Sequence, residues 1–221
     1  FIGVATTDKG VVIQYEQNGT TYRVQARKCV RAVPAPLALS VLRDMPDAKR
    51  AALAQCEYGA MSSAAFLVDK PSEYLFGKGN WRVPVVGMTT IGIGDPTFTY
   101  SEDMKLQDGR GLIRLYAGDY GSRMLQQMSD DEALKVFEND LFHIFPAARG
   151  LVLDRSLKHW PYAICPWRIG RLDAIDDIRA PHNNIHYCGY YTENSGLESA
   201  VLSALRVVSE LSNGRQPAKC D

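Results

Sequence analysis

Residues 185–211, IHYCGYYTENSGLESAVLSALRVVSEL, are ordered in a way that packing alone does not require. An apolar strand carrying Ile185 and Tyr187 runs into Gly189, and a polar loop leads on to Leu197, Ala200, Val201, Ala204, Leu205, Val208 and Leu211. Spacings of three and four place those residues on one helical stripe, predicted to face a core. Ser195 and Glu198 stand at capping-box spacing, so the helix is predicted to open there, the hydroxyl and the carboxylate each taking an end amide. A strand that ends in a glycine turn and feeds a helix N-terminus aims backbone N–H groups and the positive dipole end at one point. An anion or an electron-rich ring fits there.

Several function classes fall away on composition and motif. The 221 residues balance 25 basic against 25 acidic side chains with no long run of either, which gives no electrostatic reason to expect nucleic acid or an anionic membrane. No window is apolar enough for a membrane span and nothing resembles a signal peptide. The five cysteines, at 29, 56, 165, 188 and 220, form no CxxC pair. They read as reduced thiols, with a cytoplasmic setting as the expectation. The chain opens on Phe1 inside an apolar run, which reads as a processed or truncated product. GxSxG, HExxH and P-loop motifs are all absent, so hydrolysis and phosphoryl transfer have no support. His182, His186 and Cys188 have metal-ligand spacing without an evident fourth ligand, so a surface loop entering a buried strand is expected there and no metal site.

The elements follow from local signals. Asn18-Gly19 between two β-rich runs predicts a hairpin, Val11 to Tyr15 against Thr21 to Val33. Phe1 to Val4 is a short apolar strand. Helices are predicted over Leu37 to Leu42 and Asp47 to Cys56, with Pro46 between them. A strand over Met61 to Val68 comes next. Glycines and prolines break up Pro71 to Arg110, and Gly92-Ile93-Gly94, with no third glycine or following helix, reads as a turn. Leu112 to Ala117 is a strand, Ser129 and Glu132 cap a helix ended by Pro146, and Leu151 to His159 is a strand. The aromatic run Trp160 to Trp167 is too dense for strand-face packing alone, and Arg168 to Asn184 reads as a loop.

The run YCGYYTENSGLESAVLSALRVV resembles the C-terminal FAD signature of the flavin-containing amine oxidoreductases, which include amine oxidases, protoporphyrinogen oxidase and carotenoid desaturases. Members share a strand, an Ala-Gly-Asp or Ala-Gly-Glu turn, a Thr or Ser, and a helix opening with Gly and an apolar residue. The resemblance extends to the strand ending Val33-Pro34 after a hairpin and to Trp160 with Ala163 and Pro166 beyond it. It implies that Phe1 to Val4 lies against the adenine and that Trp160 leads the chain over the flavin ring. Gly189 would let the backbone approach the cofactor, with Tyr190 in the same turn and Thr192 as a side-chain donor. The amides of Gly196 and Leu197 would face the pyrimidine edge of the flavin.

The chain departs from the pattern as well. Tyr190 stands where the acidic residue is usual, Ala204 replaces a glycine, and the lysine that monoamine oxidases place near the flavin falls on about Ser63. Pro166 follows Cys165 where a covalent-flavin protein has an aromatic, and Leu197 replaces an aromatic at the helix head, so an amine cage and a Cys165–flavin bond are not implied. The GxGxxG motif that holds the pyrophosphate does not occur in these residues. The resemblance thus implies the C-terminal part of an FAD-dependent enzyme. Such an enzyme takes hydride from a C–H bond of an apolar, aromatic or amine substrate, with a missing Rossmann half or a partner chain completing it. The other class is a non-catalytic subunit serving as a binding module. The expected architecture is α+β, a mixed sheet with flanking helices plus the strand and helix of an incomplete FAD domain. Its segments would be 1–35, 36–184 and 185–221.

Overall fold

Asn18 and Gly19 both adopt positive φ, 51° and 74°, the backbone that a two-residue type I′ turn demands. The turn joins β2 (Gly10–Gln17) to β3 (Thr20–Ala26) with Gln17 opposite Thr20, and Tyr15 stacks on Tyr22 at 5.2 Å. On the other side of β2 lies β1 (Gly3–Thr7), an edge strand of this antiparallel three-stranded sheet. The computed structural model describes residues 2–41, 44–98, 106 and 108–212. Phe1, Leu42 and Cys220, read above as a strand start, a helix end and a thiol, lie outside them.

The returning strand is shorter than the sequence suggested. β3 ends at Ala26, and β4 (Cys29–Arg31) leaves for a second sheet, where it pairs in parallel with residues 185–187. Then come α1 (Ala35–Val41) and α2 (Asp47–Ala54), divided at Pro46 as the proline predicts.

β5 (Gly59–Val68) opens a five-stranded sheet. Along the chain follow α3 (Glu73–Phe76), β6 (Arg82–Pro84), β7 (Gly92–Gly94), β8 (Gly111–Gly118), α4 (Asp119–Leu125), α5 (Asp130–Ile144) and β9 (Val152–Ile164). Strand order is β6-β7-β8-β5-β9 and every pairing is antiparallel, so the sheet is not mixed. Gly92-Ile93-Gly94 is a strand, not a turn. Its glycines serve close approach, since a Cβ on Gly94 would lie 2.9 Å from the Trp81 carbonyl oxygen. The aromatic run does continue a strand, because β9 extends through Ile164 opposite Gly59. Alternation on β5 and β8 turns Ala64, Phe66, Val68, Ile113, Leu115 and Ala117 toward α5, whose Leu134, Phe137 and Leu141 close the core. Ser129 and Glu132 form the predicted capping box, Ser129 N–H to Oε2 at 3.0 Å and Glu132 N–H to Oγ at 3.4 Å. Such a cap contributes about 1 kcal/mol.

Arg168 to Asn184 is not an open loop. It holds a 3₁₀ turn at Arg171–Ala174 and α6 (Ile175–Arg179). The C-terminal carbonyls of α6 are capped by buried Lys49, whose Nζ donates to Asp177, Ile178 and Ala180 at 2.7–2.8 Å. Its ammonium also sits 3.8 Å over the Tyr187 ring, and burial, then the Arg206 guanidinium, pulls its pKa down to about 8. β10 (Ile185–Tyr187) and α7 (Leu197–Leu211) complete the chain.

Two compact units result, Phe1–Tyr58 with Cys165–Asp221, and Gly59–Ile164. The segments 36–58 and 165–184 therefore belong with the two ends of the chain, which differs from divisions at 35 and 185. The first unit packs around Leu53, Cys56, Cys165, Ile178, Ile185, Tyr187 and Tyr191. The beginning and end of the chain come together there through β4 and β10.

Candidate functional site

β10 delivers the chain to Gly189 (φ 139°), and a 3₁₀ turn over Tyr190–Thr192 follows. A Cβ on Gly189 would meet the Tyr191 ring at 2.9 Å, and Tyr191 is 1% exposed, so this position requires glycine for a reason internal to the fold. The Gly189 N–H donates to Ser203 Oγ at 3.0 Å. Thr192 is fully buried, and its hydroxyl donates to the Gly189 carbonyl at 2.9 Å. That donor is committed inside the loop.

The helix start differs from the capping-box expectation. Gly196, at φ 130° and with open space where a Cβ would be, is the N-cap residue, and no side chain caps the end. Ser195 instead donates to the Cys165 carbonyl at 3.2 Å. The first turn of a 15-residue helix is left with amides that no side chain of the described residues caps, beside Leu197 at 90% exposed. An uncapped helix N-terminus carries partial positive charge. The helix is also rotated relative to its apolar pattern. Ser199, Ser203 and Val207 are its buried residues, while Val201, Leu202, Leu205 and Val208 are exposed. Small serines let α7 approach the Gly189 turn closely, and the apolar stripe faces outward.

Charged residues that the sequence analysis passed over hold this loop. Arg206 donates to the Tyr187 carbonyl at 2.7 Å, to Thr192 Oγ1 at 3.1 Å and to Glu193 Oε1 at 2.9 Å, and it pairs with Glu210. Glu193 takes Arg179 on its other oxygen, and Arg179 Nε donates to the Thr192 carbonyl at 2.8 Å. His186 Nδ1 lies 2.8 Å from Glu210. Arg171, 1% exposed, spans from the re-entering chain to the turn. Its guanidinium donates to the carbonyls of Cys165 (3.3 Å), Pro166 (3.0 Å) and Tyr191, and lies 4.6 Å over the Trp167 ring. The one sequence signal was an arginine, Arg206, within the α7 apolar pattern and one turn before Glu210. The partners of Arg171 and Arg179 lay in a stretch read as loop.

Cys165 is buried at 1% exposure. The neighbouring Cys56 thiol, and then the Arg171 guanidinium that donates to its sulfur at 3.2 Å, lower its pKa, while the same thiol pair and burial raise that of Cys56. Burial likewise raises the phenol of Tyr190, which meets Tyr58 edge-on at 6.0 Å. The structure thus brings Gly189, Tyr190, Thr192, Gly196 and Leu197 into one loop and helix start. Trp160 is on β9 in the other unit, 45% exposed. In the first unit a cleft of about 450 Å³ lies over the three-stranded sheet, lined by Gly3 and Ala5 of β1, Gln14 of β2 and Arg23 of β3 with Ser40 and Asp44. Among the described residues there is no metal-ligating cluster, and no helix is long and apolar enough to cross a membrane. His182 and His186 thus form no such cluster, and Cys29, Cys56, Cys165 and Cys188 are free thiols.

Comparison with known proteins fits this geometry. Protoporphyrinogen oxidase 1, chloroplastic, of Spinacia oleracea is 27% identical over 234 residues, 95% of this chain and 40% of the relative. The Nicotiana tabacum protoporphyrinogen oxidase is 24% identical over 91% of this chain and 39% of its own length. The chain therefore spans about two fifths of the curated relatives it matches. Among solved structures, a putative protoporphyrinogen oxidase from Exiguobacterium sp. 255-15 superimposes with TM-score 0.71 at 15% identity, over 97% of this chain and 46% of that one. Putrescine oxidase bound to putrescine does so at 0.71 and 16%, over 96% and 48%. These likenesses show a shared fold. The profile of the family described as flavin containing amine oxidoreductase matches residues 2–212, and the chain belongs to that family.

Proposed function

We propose that the chain is the C-terminal part of an FAD-dependent oxidoreductase that removes hydride from a C–H bond of a bulky apolar or aromatic substrate. The observation that carries this reading is the uncapped N-terminus of α7 beside the Gly189 turn, held in place by Arg171, Arg179, Arg206 and Glu193. FAD, when bound, supplies the hydride acceptor. The chain's own part is electrostatic and positional. The amides of Gly196 and Leu197 and the positive helix end favour negative charge at a ring edge, and Gly189 lets backbone come close. Thr192 acts at one remove, by fixing the Gly189 carbonyl. Tyr190 offers a phenol where the family pattern has a carboxylate, and the cleft over the three-stranded sheet suits a flat ring such as adenine.

The pyrophosphate would be held by a Rossmann half carrying GxGxxG, on the same polypeptide or on a partner. Two features support such a partner. The exposed stripe Val201, Leu202, Leu205 and Val208 on α7 is apolar, and β4 with β10 is, among the described residues, a parallel pair of two strands, an arrangement that normally lies inside a larger covered sheet.

For the substrate, Ser63 in place of a lysine and the aromatics Tyr116 and Trp160 on the large sheet favour a bulky ring over a small amine. The names of the relatives supply the two compounds to compare. Mixed anaerobically with the FAD-loaded assembly, protoporphyrinogen is expected to bleach the flavin band and putrescine to leave it. Bleaching by putrescine alone would overturn the substrate class, and bleaching by neither would favour the non-catalytic module.

A further inference from the structure

The chain leaves β8 through a strained residue. Asp119 has φ 22°, on the left-handed side for a residue with a Cβ, and backbone of that kind persists only where its surroundings hold it, most often at ligand sites and switch regions. It leads into α4 with Tyr120 78% exposed. Gly121 follows, where a Cβ would lie 3.3 Å from the Thr89 carbonyl oxygen, so α4 packs closely against residues 87–91. Here a groove of about 570 Å³ opens, walled by Met88, Ile91, Tyr120 and Met124. That is the size and the largely apolar lining of a small-molecule site, and methionine side chains adapt to the shape of what they hold. The whole groove lies within the Gly59–Ile164 unit, and neither Tyr116 nor Trp160 lines it.

One charge faces the groove. Asp140 of α5 lines it, and it is the only charged residue that does. Its Oδ2 accepts the Thr90 N–H at 2.9 Å, which fixes the carboxylate in place. Among the described residues Asp140 makes no other hydrogen bond and no ion pair, so Oδ1 is open to a ligand. A half-buried carboxylate beside apolar side chains attracts a cation with less screening than in open water. The exposed face of the Tyr120 ring adds a second, weaker attraction for the same charge.

We propose that this groove binds an amphiphilic organic cation, with its ammonium head on Asp140 and its apolar body along Met88, Ile91 and Met124. The site is independent of the flavin. Two probes with the same ring, 1-pyrenemethylamine and 1-pyrenemethanol, isolate the charge. Titrated by fluorescence at low salt without FAD, the amine is expected to bind about tenfold more tightly than the alcohol, a difference of about 1.4 kcal/mol. Asp140→Asn removes the charge and keeps an acceptor for the Thr90 N–H, so in this variant the amine is expected to fall to the affinity of the alcohol while the alcohol binds as before. Equal binding of both probes to the unsubstituted protein, or a preference for the amine that survives in Asp140→Asn, would overturn the proposal. If Asp140→Asn loses both probes, Met124→Ser decides, because it takes away part of the apolar wall and leaves the carboxylate. Weaker binding of both probes at an unchanged ratio supports the proposal, and any other result overturns it. A protein that selects the amine but never takes up flavin keeps this site and loses only the flavin reading.

Discussion

Replacing Arg171 by methionine is expected to destabilise the first unit by about 4 kcal/mol, read as a fall in the urea midpoint of the transition that reports it. The guanidinium is 1% exposed and supplies the carbonyls of Cys165, Pro166 and Tyr191. A thioether donates nothing, so buried acceptors lose their partner. Arg171→Lys keeps the charge but not the fork, and one ammonium cannot span the same groups, so it should recover less than half of the loss. Trp167 beneath the guanidinium gives a local readout, a fluorescence change in the native baseline of both variants. A midpoint unchanged from the unsubstituted protein would mean that Arg171 does not hold the turn.

Gly189→Val should abolish flavin retention in the complete assembly and also lower stability, by about 2–3 kcal/mol. On the sequence alone the fold is expected to tolerate the change. The structure adds a cost, because φ is 139° and the new Cβ meets a Tyr191 ring that has no room to swing. The two effects can be separated. Pairing Gly189→Ala with Tyr191→Leu takes away the ring atoms that the Cβ meets, so only the part of the loss due to that clash should return, the backbone strain at φ 139° and the cavity cost remaining, while flavin stays lost. Flavin bound normally by that pair would show that no cofactor approaches Gly189.

Features governed by neighbours in sequence were legible. Asn18-Gly19, Pro46 and the Ser129–Glu132 box act within one turn of chain, and each stands where its chemistry predicts. The strand, glycine turn and helix of residues 185–211 were legible for the same reason. The face that α7 buries was not. Its stripe of Val201, Leu205 and Val208 is a correct pattern of amphipathicity, but which side meets this chain is set by how closely the helix approaches Gly189, and serines allow that where leucines would not. Ser195 misled in the same way, since its hydroxyl is taken by Cys165 across the fold. The charged network was hidden because Arg171 and Arg179 reach partners 5 to 20 residues away, through a stretch without periodicity. Dense aromatics argued against a strand at Trp160 to Ile164, yet an edge strand open on one side accommodates them.

The oxidoreductase reading depends on a flavin meeting the α7 N-terminus, and the visible absorbance spectrum of the native protein, isolated with whichever chain carries the GxGxxG half, tests that most directly. The account predicts a bound flavin spectrum whose reduced form is stabilised in the unsubstituted protein and lost in Gly189→Val. A preparation that is colourless, and remains colourless after incubation with excess FAD, would contradict it.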